Sequence, residues 1–235
     1  MHGCHGFVKL NRCFGHVRIA PSRVGCPGPG EDEVIRAMLS ALAFSAALCA
    51  TPAAADPVSQ DPTQAPHGEY VLDTRHATLL AKVKHMGGFS KFTMRFDKLE
   101  GSFSYDPANW TTTKVSVTVD PASVDTNVPG FDKTLAGPSY LNAEKYPTIT
   151  FVSTAAAGEN GKGTVTGDLT FLGKTQPLTL DVTFNGYGPG LAGFGTRMGF
   201  SGEGHVKRSD FGLKVPFGAA GDDVDLIFEV EFVKK

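Results

Sequence analysis

The chain has 235 residues, and its 22 Lys and Arg nearly balance its 24 Asp and Glu to give a formal net charge of −2. This balance provides no extended basic surface, so composition excludes nucleic acid as a partner. The long apolar run near the N-terminus falls short of the roughly 20 residues that a membrane-spanning helix needs, so we also expect no stable membrane span.

Residues 34–55 have the layout of a secretory signal peptide. Arg36 precedes an apolar run, and small residues in A-x-A spacing end at Ala55. This layout predicts cleavage near Ala55 and export, which places the mature protein in the bacterial periplasm or outside the cell. Residues 1–33 lie upstream of this signal and show no hydrophobic period, so we interpret them as a misassigned or disordered leader.

The exported part of the chain contains no cysteine, because all four cysteines precede the predicted cleavage site. They are Cys4, Cys13, Cys26 and Cys49. A disulfide and a thiol nucleophile are therefore excluded downstream of that site. Residues 56–67 contain three prolines and few apolar residues, a composition that predicts a flexible N-terminal arm.

Residues 68–235 form the predicted folded domain, and their dominant hydrophobic period is two. Each of several segments has one apolar and one mostly polar face, as in an antiparallel sheet that is wet on one side. Short turns separate the segments, and only the stretch from Asp132 to Lys145 favours a short helix. This pattern predicts a β-sandwich or a closed barrel. The apolar positions include Leu79, Ala81 and Val83; Val115, Val117 and Val119; Leu178, Leu180 and Val182; and Leu226, Phe228 and Val230.

The sequence contains none of the common catalytic motifs. It lacks G-x-S-x-G and H-E-x-x-H, and no pair of carboxylates is spaced as an acid/base dyad. We therefore predict a protein that is not an enzyme, with no catalytic residue, no cofactor and no metal site. A metal at His76 and His85, serving an enzyme that acts on a lipid head group, is kept as an alternative.

Motifs distributed from Tyr70 to Val233 resemble those of the YceI-like family of polyisoprenoid-binding proteins, which are exported bacterial barrels. The resemblance implies an all-β fold: an antiparallel lipocalin-like β-barrel of about eight strands with a short helical insertion. It also implies a long apolar chain held inside the barrel. In chain order the motifs are "YVLDTRHATLLAKVKHMG", "FDKLEGSFSYDP", "LNAEKYPTITFVST", "VTGDLTFLGKTQPLTLDV" and "GFSGEGHVKRSDFG".

The chain departs from the family pattern in its first strand. Ala77 stands where a serine is usual, Ala81 where an aromatic residue is common, and the loop after His85 is one residue longer. These changes affect a strand that faces the predicted lumen. They leave the fold prediction intact and the identity of the ligand open.

The parity of the strands and the resemblance together predict the ligand-binding residues. His85 shares the inward parity of its strand and would orient a polar head group. Arg208 either bonds a carboxylate or backbone carbonyls at the barrel end, or contacts a head group with its forked donors. The predicted lumen residues are Leu79, Val83, Phe92, Val117, Phe171, Leu180 and Phe200.

The leading hypothesis is a periplasmic binding or carrier protein that holds a polyisoprenoid or another long-chain, fatty-acid-like lipid. The alternative is an envelope stress or interaction protein whose barrel is packed and free of ligand. A homodimer is left open by the sequence.

Overall fold

Ten β-strands form one antiparallel sheet in the computed structural model, which describes residues 58–190, 195–215 and 218–235. The predicted leader and signal peptide lie outside these residues. None of the helices in the described ranges is long and apolar enough to cross a membrane. The strands are β1 (Gly68–His85), β2 (Ser90–Phe96), β3 (Leu99–Tyr105), β4 (Lys114–Val119), β5 (Val124–Asp125), β6 (Ile149–Glu159), β7 (Lys162–Phe171), β8 (Lys174–Pro189), β9 (Thr196–Lys207) and β10 (Ala220–Lys234).

The sheet closes into an up-and-down barrel. Strands β2 and β3 run in succession along one edge of β1, so they act as one strand with a bend between them. Strand β5 continues β4 in the same way and pairs with the end of β2. Counted in this way the barrel has eight strands. Each of the eight pairs with its neighbour in sequence, and β10 returns to the free edge of β1. The predicted all-β antiparallel barrel of about eight strands is confirmed.

One short α-helix interrupts the run of strands and overlaps the start of the stretch that favours a helix in the sequence, Asp132 to Lys145. Helix α1 (Phe131–Ala136) lies between β5 and β6. The carboxylate of Asp132 accepts hydrogen bonds from both the amide and the hydroxyl of Thr126, at 2.7 and 2.5 Å. These bonds fasten the helix to the end of β5, and they lower the pKa of the Asp132 carboxyl.

The two ends of the barrel differ. At one end, which we call the mouth, β1 begins and the β6–β7 turn lies. At the other, the closed end, β1 ends and the turn after β9 lies. Buried side chains fill the closed end in a cluster of Phe151, Leu169, Leu178 and Phe211.

Residues 58–67, which we call the strap, cross the mouth and are held there by hydrogen bonds. Ser59 pairs with Tyr187 of β8 through two backbone bonds of 2.8 Å. The hydroxyl of Tyr105 donates to the carbonyl of Pro62 at 2.7 Å, and Ala65 is 1% exposed. The composition predicts a flexible arm here, and in the structure this segment contacts Tyr105 and Tyr187, which lie far away in the sequence.

The alternation of β1 is broken between Leu72 and Ala77, where the register against β10 shifts. Asp73 lies in this bulge and its side chain is 6% exposed. Its carboxylate accepts hydrogen bonds from Arg75, from His76 Nδ1 at 2.9 Å and from Arg197 at 2.7 Å. The bulge thus buries the side chain of Asp73 in the barrel wall, where three donors stabilise its negative charge.

Candidate ligand cavity

A cavity of about 360 Å³ occupies the mouth half of the barrel. This volume lies within the range of small-molecule sites, roughly 300–1,000 Å³. Below the rim its walls are apolar side chains from all eight strands of the barrel wall. They are Leu72 and Leu79; Leu99 and Phe103; Val115 and Val117; Phe151; Val165; Leu178, Leu180, Val182 and Phe184; Met198 and Phe200; and Leu226, Phe228, Val230 and Phe232.

The lining follows from the period of the strands. Alternate residues of β8 from Leu178 to Phe184 line the cavity, as do alternate residues of β10 from Leu226 to Phe232. Successive side chains of a strand point to opposite faces. The intervening residues of both strands therefore point outward, and the barrel interior is lined almost entirely by hydrocarbon.

A missing side chain on β9 makes room for one of these aromatic walls. A Cβ atom built at Gly202 would lie 2.3 Å from Cζ of Phe228 and 2.4 Å from the carbonyl oxygen of Asp181. Only glycine fits between this backbone and the ring. The glycine thereby allows the ring of Phe228 to pack directly against the backbone of β9.

The mouth is bounded by polar and amphipathic groups. Pro62 and Thr63 of the strap form one side, and Trp110, the chain's only tryptophan, lies nearby at the start of a 3-10 helix. The only charged residues among the described lining residues are Glu159 and Lys162, which flank the exposed β6–β7 turn. The arrangement suits a ligand with an apolar body and a polar end at the rim.

Two tyrosine hydroxyls fasten the strap to the mouth. Besides Tyr105, Tyr70 donates from its hydroxyl to the carbonyl of Pro66 at 2.7 Å. Burial, helped by the nearby carboxylates of Asp61 and Asp106, raises the pKa of Tyr105. The phenol therefore keeps its proton and its role as a donor at any physiological pH.

The closed end is held by the turn after β9. Arg208 donates from Nε to the carbonyl of Gly221 at 2.7 Å, from Nη1 to that of Leu213 at 2.7 Å, and from Nη2 to that of Ala220 at 3.2 Å. The sequence left two roles open for Arg208. The observed contacts are those of the structural role, in which the side chain bonds backbone carbonyls at the barrel end. The guanidinium thus bonds three backbone carbonyls of the chain that follows β9.

Four of the predicted ligand-binding residues line the cavity together: Leu79, Val117, Leu180 and Phe200. Five lie toward the closed end and are not among the lining residues of the described chain: Val83, Phe92, Phe171, His85 and Arg208. Val83 is 7% exposed in the wall. The ring of Phe171 lies 5.5 Å from that of Phe211. His85 is half-buried, with its ring 6.2 Å from that of Phe92.

The sequence reasoning missed the residues of the mouth. Trp110, Tyr105 and Pro62 lie in or beside loops, where no period marks an inward face. The one available signal was the tryptophan itself, because a large amphipathic side chain in a short polar turn is typical of a binding site.

The two histidines considered as metal ligands lie far apart. His76 is near the middle of β1 and bonds Asp73, whereas His85 ends the strand. Nine residues of extended chain separate them by about 30 Å. Across the described ranges, no group of three or more His, Cys, Asp or Glu is placed to hold a metal ion.

A closed antiparallel barrel with an apolar cavity that opens at one end defines a lipocalin-like barrel protein. The YceI-like domain model matches residues 70–232. Protein YceI of Escherichia coli O157:H7 is 38% identical over 169 residues, which are 71% of this chain and 87% of that protein. The chain belongs to the YceI-like family.

Solved structures share the barrel. The crystal structure of BcnA from Burkholderia cenocepacia matches with a TM-score of 0.61 at 28% identity, covering 68% of this chain and 98% of that one. A polyisoprenoid binding domain from Saccharophagus degradans, implicated in plant cell wall breakdown, matches with a TM-score of 0.51 at 16% identity. That match covers 72% of this chain and all of that domain, and it concerns the fold alone.

Proposed function

We propose that this protein is a periplasmic binding or carrier protein that holds a polyisoprenoid or another long-chain lipid in its barrel. The observation that carries the proposal is the cavity of about 360 Å³ with hydrocarbon walls and a polar rim. Each methylene group moved from water into such a site contributes about 0.8 kcal/mol. A chain of modest length is therefore held tightly without a covalent bond.

The chemistry of the walls supports binding rather than catalysis. The side chains below the rim carry no nucleophile and no acid or base, so they offer no group that could act on a bound chain. The polar end of the ligand would stay at the mouth beside Trp110, Lys162 and Glu159. The domain named for polyisoprenoid binding shares this fold and is consistent with the proposal.

The test is native mass spectrometry of the protein exported by a bacterial host, followed by organic extraction and lipid analysis. We expect a stoichiometric long-chain lipid. Val117→Trp, which fills the cavity, should lose it. Val152→Trp is the matched control, because Val152 is 51% exposed on the outer face of neighbouring β6.

Two outcomes would reject the proposal. An apo mass together with no uptake of added isoprenoid alcohols would favour the ligand-free interaction protein. Equal loss of lipid in both tryptophan variants would show that the cavity is not the site. His85→Ala tests the remaining sequence prediction separately, since unchanged lipid identity and occupancy would remove His85 from the site.

A further inference from the structure

Phe211 lies outside the strands yet belongs to the core. It ends the short 3-10 helix Arg208–Phe211 after β9 and is only 3% exposed. Its ring packs in the closed-end cluster with Phe151, Leu169 and Leu178. A side chain from the connecting turn thus enters the barrel from below.

The same cluster forms the lower boundary of the cavity. Phe151 and Leu178 belong both to the cavity walls and to the cluster that contains Phe211. Three further lining residues, Val165, Leu180 and Leu226, pack against that cluster. Phe211 therefore lies directly beneath the walls, where the end of a bound chain would arrive.

The turn that presents Phe211 is rigidly held. Arg208 binds the three carbonyls described above. The carboxylate of Asp222 accepts from the amide of Ser209 at 3.1 Å and from its hydroxyl at 2.7 Å. Gly212 follows with a φ of +82°, a left-handed conformation that favours glycine and reverses the chain at once. The turn has little freedom to move its phenyl ring out of the barrel.

We propose that Phe211 is the floor of the cavity and sets the longest chain that the barrel accepts, with Arg208 as the residue that positions it. This inference rests on the proposed lipid-binding function. Affinity rises about fourfold for each methylene that the cavity buries, and it stops rising when the chain meets the floor. Any additional length then stays at the mouth.

The experiment measures the affinity of the protein for geraniol, farnesol, geranylgeraniol and solanesol by quenching of Trp110 at the mouth. For the wild type we expect affinity to rise along the series and then level off. Phe211→Ala should move this limit to a longer prenol. Its affinity for the first prenol beyond the wild-type limit should increase about tenfold.

Phe228→Ala is the matched control, since it removes the same ring volume from the side wall. It should change affinity for every prenol while leaving the limit in place. Arg208→Gln should move the limit in the same direction as Phe211→Ala. The double variant should move it no further than Phe211→Ala does, a result that simple destabilisation does not produce.

The outcomes separate this inference from the function on which it rests. If the wild type binds no prenol and its native mass shows no bound lipid, the lipid-binding proposal fails. If the wild type binds prenols and a folded Phe211→Ala variant keeps the same limit on chain length, the proposal that Phe211 forms the floor is wrong. If the alanine variant fails to fold, Phe211→Leu replaces it. This substitution removes less volume and should shift the chain-length limit in the same direction.

Discussion

The guanidinium of Arg197 donates to the carboxylate of Asp73 at 2.7 Å, although the two residues are 124 positions apart in the chain. The same nitrogen also donates to Glu231 on β10 at 2.9 Å. The bulge of β1, the start of β9 and the last part of β10 are thereby joined through the guanidinium of Arg197. This junction holds the wall around the seam where the barrel closes.

Asp73→Asn should destabilise the fold by about 2–3 kcal/mol, because it removes the charge that Arg197, Arg75 and His76 share. Urea unfolding measures the loss. Asp97→Asn is the control, since its partner Arg95 is half exposed and such a pair contributes less than about 1 kcal/mol. Equal losses in both variants would contradict the role of the junction.

The contribution of Asp73 should depend on pH in one direction. Hydrogen bonds from Arg75, then from His76 and Arg197, hold the pKa of the Asp73 carboxyl well below its usual range, against the opposing effect of burial. A depressed folded-state pKa gives stability that is present above the unfolded value of about 3.9 and is lost as pH falls toward the folded value. The difference in unfolding free energy between wild type and Asp73→Asn should be constant above about pH 5 and shrink below it.

Tyr105→Phe should loosen the strap without unfolding the barrel. It removes one hydrogen bond to Pro62, which costs about 1 kcal/mol. Hydrogen exchange at the amide of Ala65, which donates to the Pro62 carbonyl at 3.1 Å, should accelerate severalfold. A bound lipid should also dissociate faster. Unchanged exchange at Ala65 would show that Tyr105 does not hold the strap. Tyr140→Phe is the control and should leave the exchange rate at Ala65 unchanged.

Two glycines of β9 should respond oppositely to alanine. Gly202→Ala forces a Cβ against Asp181 and Phe228 and should cost about 1–3 kcal/mol. Gly199→Ala meets its nearest neighbour, Cβ of Asn185, at 3.6 Å. That contact is ordinary, so the substitution should be neutral or slightly stabilising. Thermal unfolding of both variants checks the contrast, and similar midpoints would refute it.

The sequence predicts whether a residue points into or out of the barrel better than it predicts the level of that residue along the barrel axis. Leu180 and Phe171 share the inward parity of their strands, yet only Leu180 reaches the cavity. A period of two gives the face alone, whereas the level along the barrel depends on strand tilt and stagger. Similarly, His85 has the inward parity but ends its strand, where the barrel interior is already closed.

Long-range polar contacts were the other feature that local patterns could not give. The sequence left two roles open for Arg208, since its carbonyl partners belong to a loop and strand further along the chain. The bulge at Asp73 also breaks the period of β1, and its partner Arg197 lies on another strand. Such hydrogen bonds can be recognised only when the fold has brought both partners together.

The pairing of β1 with β10 also constrains the order in which the protein can form. Leu79 faces Phe228 across this seam, about 150 residues away along the chain. As the chain emerges, every earlier strand exposes its apolar face until β10 arrives, because no smaller closed barrel exists on the way. The growing chain is therefore prone to associate with other apolar surfaces, and the barrel can close only after the last strand has been synthesised.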